Sequence, residues 1–323
     1  GGKTIFGYLF PVMLPAIALA ASNGALEATA HGEAVSYALC AVIACAAPIA
    51  SYVFYALCLK GSYVERNAMK KTGKAKKNLS IGATFKNIFT NRPLLSMYLF
   101  MSLHKSYYFI YTGCAVYMFK YIFGNFKMMG IFMTLFNLTA IVGVALGPVW
   151  KKIFKETKRC FIAAMCVHVV FTAAIALTFR SLPMTGFMLL FALSSTFMGM
   201  LENYIMPMFA AASDYSAWRS GQRMDGLTMS VYALTIKTGS LVAASLRTAV
   251  LVAAGLDGIT AGGPVTEHFI STMSNFWTIA PLVLGVASLL CLIFLFNLND
   301  ERIGYMNDDL KNGVLAADSA HRF

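Results

Sequence analysis

Apolar residues run along this chain in long blocks broken by short polar stretches, and the length of those blocks sets the fold class. There are about eight, at 5–22, 35–59, 93–123, 128–150, 160–179, 183–212, 224–254 and 269–296. Each is about 20 residues or longer, the length an α-helix needs to cross the hydrocarbon of a bilayer. A membrane-spanning strand needs only about ten residues of alternating character. The pattern therefore predicts an all-α polytopic membrane protein with about eight transmembrane helices.

Composition agrees with this. The chain is 58% hydrophobic and 12% charged, too little charge to cover a surface in water. The 26 Lys+Arg against 14 Asp+Glu gain meaning from their positions. The interval 60–92 is rich in lysine, with Lys70, Lys71, Lys74, Lys76 and Lys77 at its centre, and KKIFKETKR at 151–159 is basic as well. Arg219 and Arg223 follow in SDYSAWRSGQRMDG at 213–226. The alternate loops SNGALEATAHGE and GLDGITAGGPVTE contain no Lys or Arg. This asymmetry is the positive-inside pattern, and it places loop 60–92 and both chain ends on the cytoplasmic side of a plasma (inner) membrane. The basic charge is thereby assigned to topology and membrane lipid, not to nucleic acid.

The polar interval divides the chain. Residues 1–59 read as two spans completing an N-terminal six-helix half, 60–92 as a basic central loop, 93–297 as a six-helix C-terminal half and 298–323 as a cytoplasmic tail. Two plus six implies about four helices upstream of Gly1. Pro11 and Pro15 kink the first span. Gly143 and Gly147 in GVALG form a small-xxx-small face suited to close helix approach. The seven cysteines lie in or beside apolar blocks without a CxxC pair, so packing accounts for them and no metal site is expected.

Ionisable groups deep in apolar blocks mark function or internal pairing. Four qualify: Lys105 in SLHKSYYF, Glu202 in MGMLENYI, and Lys237 and Arg247 in TIKTGSLVAASLRTAV. Arg247 is near enough to the end of its block to snorkel. Glu202 and Lys237 flank the 213–226 stretch at matching distances from its centre, which predicts an ion pair across a helical hairpin. Lys237 also belongs to a stripe of Ser230, Ala233, Ser240, Ala244 and Arg247, expected to face protein or a wet cavity. The candidate cavity residues are Lys237, Glu202, Lys105, Ser240 and Tyr108. The readings of Glu202 and Lys237 as a structural salt bridge or as a substrate site both stand at this level. His104 and His168 lack ligand spacing. There is no nucleotide-binding loop, HExxH or nucleophile elbow, so an enzyme is not expected.

The stretch SDYSAWRSGQRMDGLTMSVYALTIKTGS resembles the loop and following helix of the glycoside–pentoside–hexuronide:cation symporters, melibiose-permease-like members of the major facilitator superfamily. Asp214, Tyr215, Arg223 and Lys237 fall in register with that family's pattern. TNRPLLSMYLF at 90–100 and AVYMFKYIFGN at 115–125 resemble the entry and exit of its seventh helix. The resemblance covers essentially the whole chain as helices 5–12 of twelve, a partial major facilitator fold. It implies secondary active transport of a sugar, glycoside or hexuronide by alternating access between two six-helix halves. A coupling cation (Na⁺, H⁺ or Li⁺) is implied, with no tightly bound cofactor, and a monomeric carrier is expected. Lys237 would border the sugar and cation sites, and Asp214, Tyr215 and Arg223 would form a cytoplasmic gate. The sequence departs from the pattern at Ala211 and Ala217, where relatives carry acids, and in lacking a first-span arginine. The family's acidic cation ligands belong to helices one, two and four, so this chain alone is not expected to couple a cation. Carriage of lysolipid or another amphiphilic or anionic solute on the same fold is the alternative, and a polytopic lipid-modifying enzyme the more distant one.

Overall fold

A computed structural model describes Ile17 and residues 30–59, 90–221, 225–260 and 263–319. The first expected span, most of loop 60–92 and Arg223 lie outside the described residues. Within them are nine α-helices, one π-helical turn and no strand. The helices are α1 (Ala30–Leu59), α2 (Arg92–Tyr117), α3 (Lys127–Phe154), α4 (Thr157–Thr178) and α5 (Met184–Ser220). They continue with α6 (Asp225–Ala253), the single-turn α7 (Leu256–Thr260), α8 (Glu267–Leu295) and α9 (Asp300–Lys311). The π-helical turn, Met118–Ile122, follows α2 directly.

Six helices (α1, α3, α4, α5, α6 and α8) are long and apolar enough to cross a membrane. α2 is as long as these, but Ser102, His104, Lys105, Ser106, Tyr107 and Tyr108 interrupt its apolar run. A helix with that much polarity needs protein around it, and α2 has it: Met97, Phe100, Met101, His104, Tyr107, Ile110 and Cys114 are all fully buried. Its start is set chemically. The Asn91 side chain accepts the amide of Leu94 and Pro93 occupies the first turn, where a missing N–H costs nothing.

The chain divides into two compact units: residues 1–83 with Phe126–Thr134, and residues 84–125 with Leu135–Phe323. In the first unit, α1 turns Val42, Ile49, Tyr52, Phe54 and Leu57 outward, a surface suited to lipid rather than water.

The second unit packs around α2, with α6 and α8 lying along it and α4 against α5 and α8. Glycines set the closest approaches. A Cβ at Gly143 of α3 would collide with the Thr196 carbonyl of α5, and one at Gly199 of α5 with the backbone of Ala140. The small-residue face expected at Gly143 and Gly147 is thus a helix contact. Pro148, inside α3, removes the amide that would have bonded the Val144 carbonyl. Asn203 of α5 supplies the donor, Nδ2 to Val144 O at 3.0 Å, and Tyr204 Oη donates to Gly147 O at 2.8 Å. One neighbouring helix, α5, thereby supplies donors to two carbonyls beside the proline of α3.

Two expectations change. The helix expected at 183–212 continues through Asp214, Tyr215 and Trp218 to Ser220, ending at Gly221 with φ +68°. Much of the apparent loop is helix, capped by a left-handed glycine. The hairpin therefore turns later than its polar centre. Glu202 lies about 19 positions before Gly221 and Lys237 about 12 after Asp225, an offset of about 10 Å along the axis.

Candidate functional site

The polar face of α2 and the middle of α5 meet inside the second unit. Lys105 Nζ donates to Glu202 Oε1 at 2.8 Å. The lysine side chain is 5% exposed and the glutamate 35%, so one partner is enclosed and the other reaches an opening. Lys105 can lie there because Gly239 of α6 has no side chain: a Cβ at Gly239 would stand 2.6 Å from Lys105 Cβ and 2.9 Å from the Ser102 carbonyl. Tyr108, one turn on, places its ring 5.8 Å from Lys105 Nζ, a cation–π contact. Two turns in the other direction along α2, Tyr98 Oη and Thr238 Oγ1 of α6 are 3.1 Å apart.

This places the expected residues in two groups. Lys105, Glu202 and Tyr108 come together. Lys237 and Ser240 stand on the open side of α6, with Ser230 and Ala233, while Ala244 and Arg247 are half-buried. The buried seam of α6 is the neighbouring stripe Val231, Thr235, Gly239 and Ala243. Glu202 meets Lys105, not the expected Lys237, because the helix end moved the register and Gly239 opened a place for the lysine stem. Arg247 lies against α2, with its Cζ 3.1 Å from where a Gly113 Cβ would be.

The two histidines belong to the interior. Tyr107 Oη is 2.7 Å from His104 Nδ1, and the Tyr107 ring stacks on His168 at 5.3 Å. His168 Nδ1 is 3.0 Å from both the carbonyl and the hydroxyl of Ser194. A packing role, as expected for His168, fits this geometry.

The other cluster lies at the end of α5. Asp214 and Tyr215 sit half-buried on its last turns, and the Tyr215 and Trp218 rings are 6.1 Å apart. Asn91 Nδ2 donates to Ala212 O at 3.0 Å and to Ser216 Oγ at 2.5 Å. Arg219 Nη1 donates to Thr90 O at 2.8 Å, and Ser213 Oγ to Asp225 Oδ1 at 2.9 Å. Trp218 Nε1 donates to Asp309 Oδ2 at 3.0 Å, and Ala316 N to Trp218 O at 2.9 Å. Sequence reasoning missed Asn91, Trp218 and Asp309. The asparagine two positions before a proline was a legible helix cap, whereas the tryptophan–aspartate pair spans 91 positions and left no local signal.

The model of the family described as MFS/sugar transport protein matches residues 2–300. The chain belongs to that family. Family members of this kind are transporters, not enzymes. Among curated proteins the chain is 23% identical over 237 residues to the uncharacterised symporter YjmB of Bacillus subtilis (strain 168), covering 73% of this chain and 50% of that protein. It is 24% identical over 288 residues to a protein described as a sulfoquinovose importer of Escherichia coli (strain K12), covering 85% and 58%. It is 25% identical over 286 residues to the lactose permease of Lactobacillus helveticus, covering 85% and 42%. The chain thus spans about half the length of these relatives. The resemblance drawn from SDYSAWRSGQRMDG and its neighbours is supported at the level of family, with apolar helices to match.

Proposed function

We propose that this chain forms part of a cation-coupled sugar carrier that works by alternating access, with Lys105, Glu202 and Tyr108 in its substrate cavity. The observation that carries the reading is the Lys105–Glu202 ion pair, enclosed on the lysine side and open on the glutamate side, in a chain of a sugar transport family. Ionisable groups held at such depth mark substrate or ion pathways. Lys237 and Ser240 border the same cavity from the open side of α6 when the carrier is complete. Asp214, Tyr215 and Arg223 form the gate at the cytoplasmic end of α5, within a plasma (inner) membrane.

Lys105, Lys237 and Arg247 outnumber Glu202 among the ionisable groups deep in the apolar blocks, and this excess favours a sugar carrying an acid group. The relatives' printed names, a sulfoquinovose importer and a lactose permease, bracket acidic and neutral sugars. The test is uptake of a labelled galactoside and a labelled glucuronide, side by side, into proteoliposomes of the full-length carrier. Faster uptake of the glucuronide, lost in Lys105→Gln, is the expected result. A preference for the neutral sugar that persists in Lys105→Gln overturns the acidic assignment, and uptake of neither sugar overturns the carrier reading.

A further inference from the structure

Lys105 is seated on a missing side chain, and so is Arg247. At one level of the α2–α6 pair, α2 supplies the cation and α6 the glycine, a Cβ at Gly239 standing 2.6 Å from Lys105 Cβ. Eight positions further along both helices the roles exchange. A Cβ at Gly113 of α2 would stand 3.1 Å from Cζ of Arg247 on α6 and 3.7 Å from its Cδ. The arginine side chain thus crosses to α2, and its guanidinium rests on backbone where a larger residue would exclude it. The shared offset sets the two seats about 12 Å apart along the pair. Arg247 lies towards the end remote from Arg92 and Asp225, where the two helices begin.

The surroundings of the two seats differ. Lys105 Nζ meets Glu202 Oε1 at 2.8 Å. Among the described residues no carboxylate forms an ion pair with Arg247. The next acids along the chain, Asp257 and Glu267, are exposed on α7 and at the start of α8. Cys114, beside Gly113, brings a buried thiol within electrostatic reach. A half-buried guanidinium in an apolar block calls for an anion or water, and its planar fork of donors matches a carboxylate. Ser240 and Lys237 continue the Arg247 stripe along the open side of α6 to the level of Gly239 and Lys105.

Resting on the sugar-carrier reading, we infer that Arg247 is a second anion site of this carrier, taking the acid group of a sugar at the end of α6 remote from the 213–226 turn. The Gly113 seat holds the fork against the helix wall, so the acid group meets a cation whose position is already set. From there the stripe through Ser240 and Lys237 leads about 12 Å along the pair to Lys105. Capture at Arg247 concentrates acidic sugars beside the deeper site and does nothing for neutral ones. Its contribution is therefore one of selectivity, and it weakens as salt screens the guanidinium.

The experiment measures kcat/KM for a labelled glucuronide and a labelled galactoside in proteoliposomes of the full-length carrier, at low and at high salt. In Arg247→Gln the glucuronide-to-galactoside ratio is expected to fall about tenfold, the size of one lost charge-assisted contact. The salt dependence of glucuronide uptake flattens in the same variant. Arg247→Lys, which keeps the charge, retains the salt dependence and recovers part of the ratio. Gly113→Ala, which keeps the arginine but fills its seat, lowers the ratio about threefold or more. If Arg247→Gln does not insert into the membrane, the Gly113→Ala ratio decides. A ratio within about twofold of wild type in the deciding variant, or salt dependence unchanged in Arg247→Gln, overturns the inference and leaves the sugar-carrier reading intact. Uptake of galactoside without glucuronide by wild type does the same. Uptake of neither sugar by wild type overturns both.

Discussion

Lys105 is buried because position 239 has no side chain. Gly239→Val would drive a branched Cβ into the lysine stem and the Ser102 carbonyl. A loss of about 1–3 kcal/mol is expected from forcing α2 and α6 apart, read as a lowered Tm in detergent. Removing charge at this pair has a graded outcome. Lys105→Gln removes the ammonium that Glu202 meets and is expected to cost about 1–3 kcal/mol, less than a fully enclosed pair because the glutamate is partly open. The double variant Lys105→Gln with Glu202→Gln is expected to recover most of that loss. Equal Tm values for the single and double variants would contradict the pairing. At this scale the sequence was informative about which residues were unusual. Lys105 and Glu202 stood out by charge in apolar blocks, but their partnership required knowing that glycine, 37 positions after Glu202 in the chain, lies against Lys105.

Helices were legible as lipid-crossing lengths, and their ends less so. Hydropathy reports where a chain leaves hydrocarbon, whereas a helix stops where its backbone bonds stop. Between Ala211 and Ser220 no residue breaks a helix, so α5 continues until Gly221 adopts φ +68°. That overshoot carries Asp214, Tyr215 and Trp218 onto helical faces and moves the hairpin turn away from its polar centre. The same logic explains the proline in α3. Its cost is met by Asn203, and Asn203→Ala is expected to lose about 1 kcal/mol by leaving the Val144 carbonyl without its side-chain donor. Asn203→Gln, longer by one methylene, tests whether donor position or donor chemistry matters. Thermal denaturation of both variants in one detergent decides between them.

Across the second unit, one end is tied together by contacts far apart in the chain. Asp309 of α9 receives the Trp218 indole, and Thr157 donates both its amide and hydroxyl to Asp300 Oδ2, at 3.0 and 3.1 Å. The segment after α9 returns to the end of α5 through Ala316 N and Trp218 O, roofing a cavity of about 320 Å³ lined by Ala217, Gly221 and Leu315. Trp218→Phe keeps the ring and removes the donor. Its expected effect is faster amide hydrogen exchange at 313–319 with a stability loss of about 1 kcal/mol or less. Unchanged exchange there would mean the indole bond does not hold the segment. If the end of α5 opens during transport, this tie must loosen with it, and the variant is then also expected to change the rate of uptake more than its apparent affinity.

The amino-acid sequence by itself determined the membrane class, the approximate spans and the residues too polar for lipid, because the bilayer imposes length and charge rules that act locally along the chain. Family-level kinship was also readable there, in the ordered run from Asp214 to Lys237. Tertiary structure alone decided that Lys105, not Lys237, pairs with Glu202. That choice depends on where α5 terminates, which glycine admits the lysine, and how far two helices slide past each other. Those are properties of packing, set by contacts between positions that no local pattern brings together.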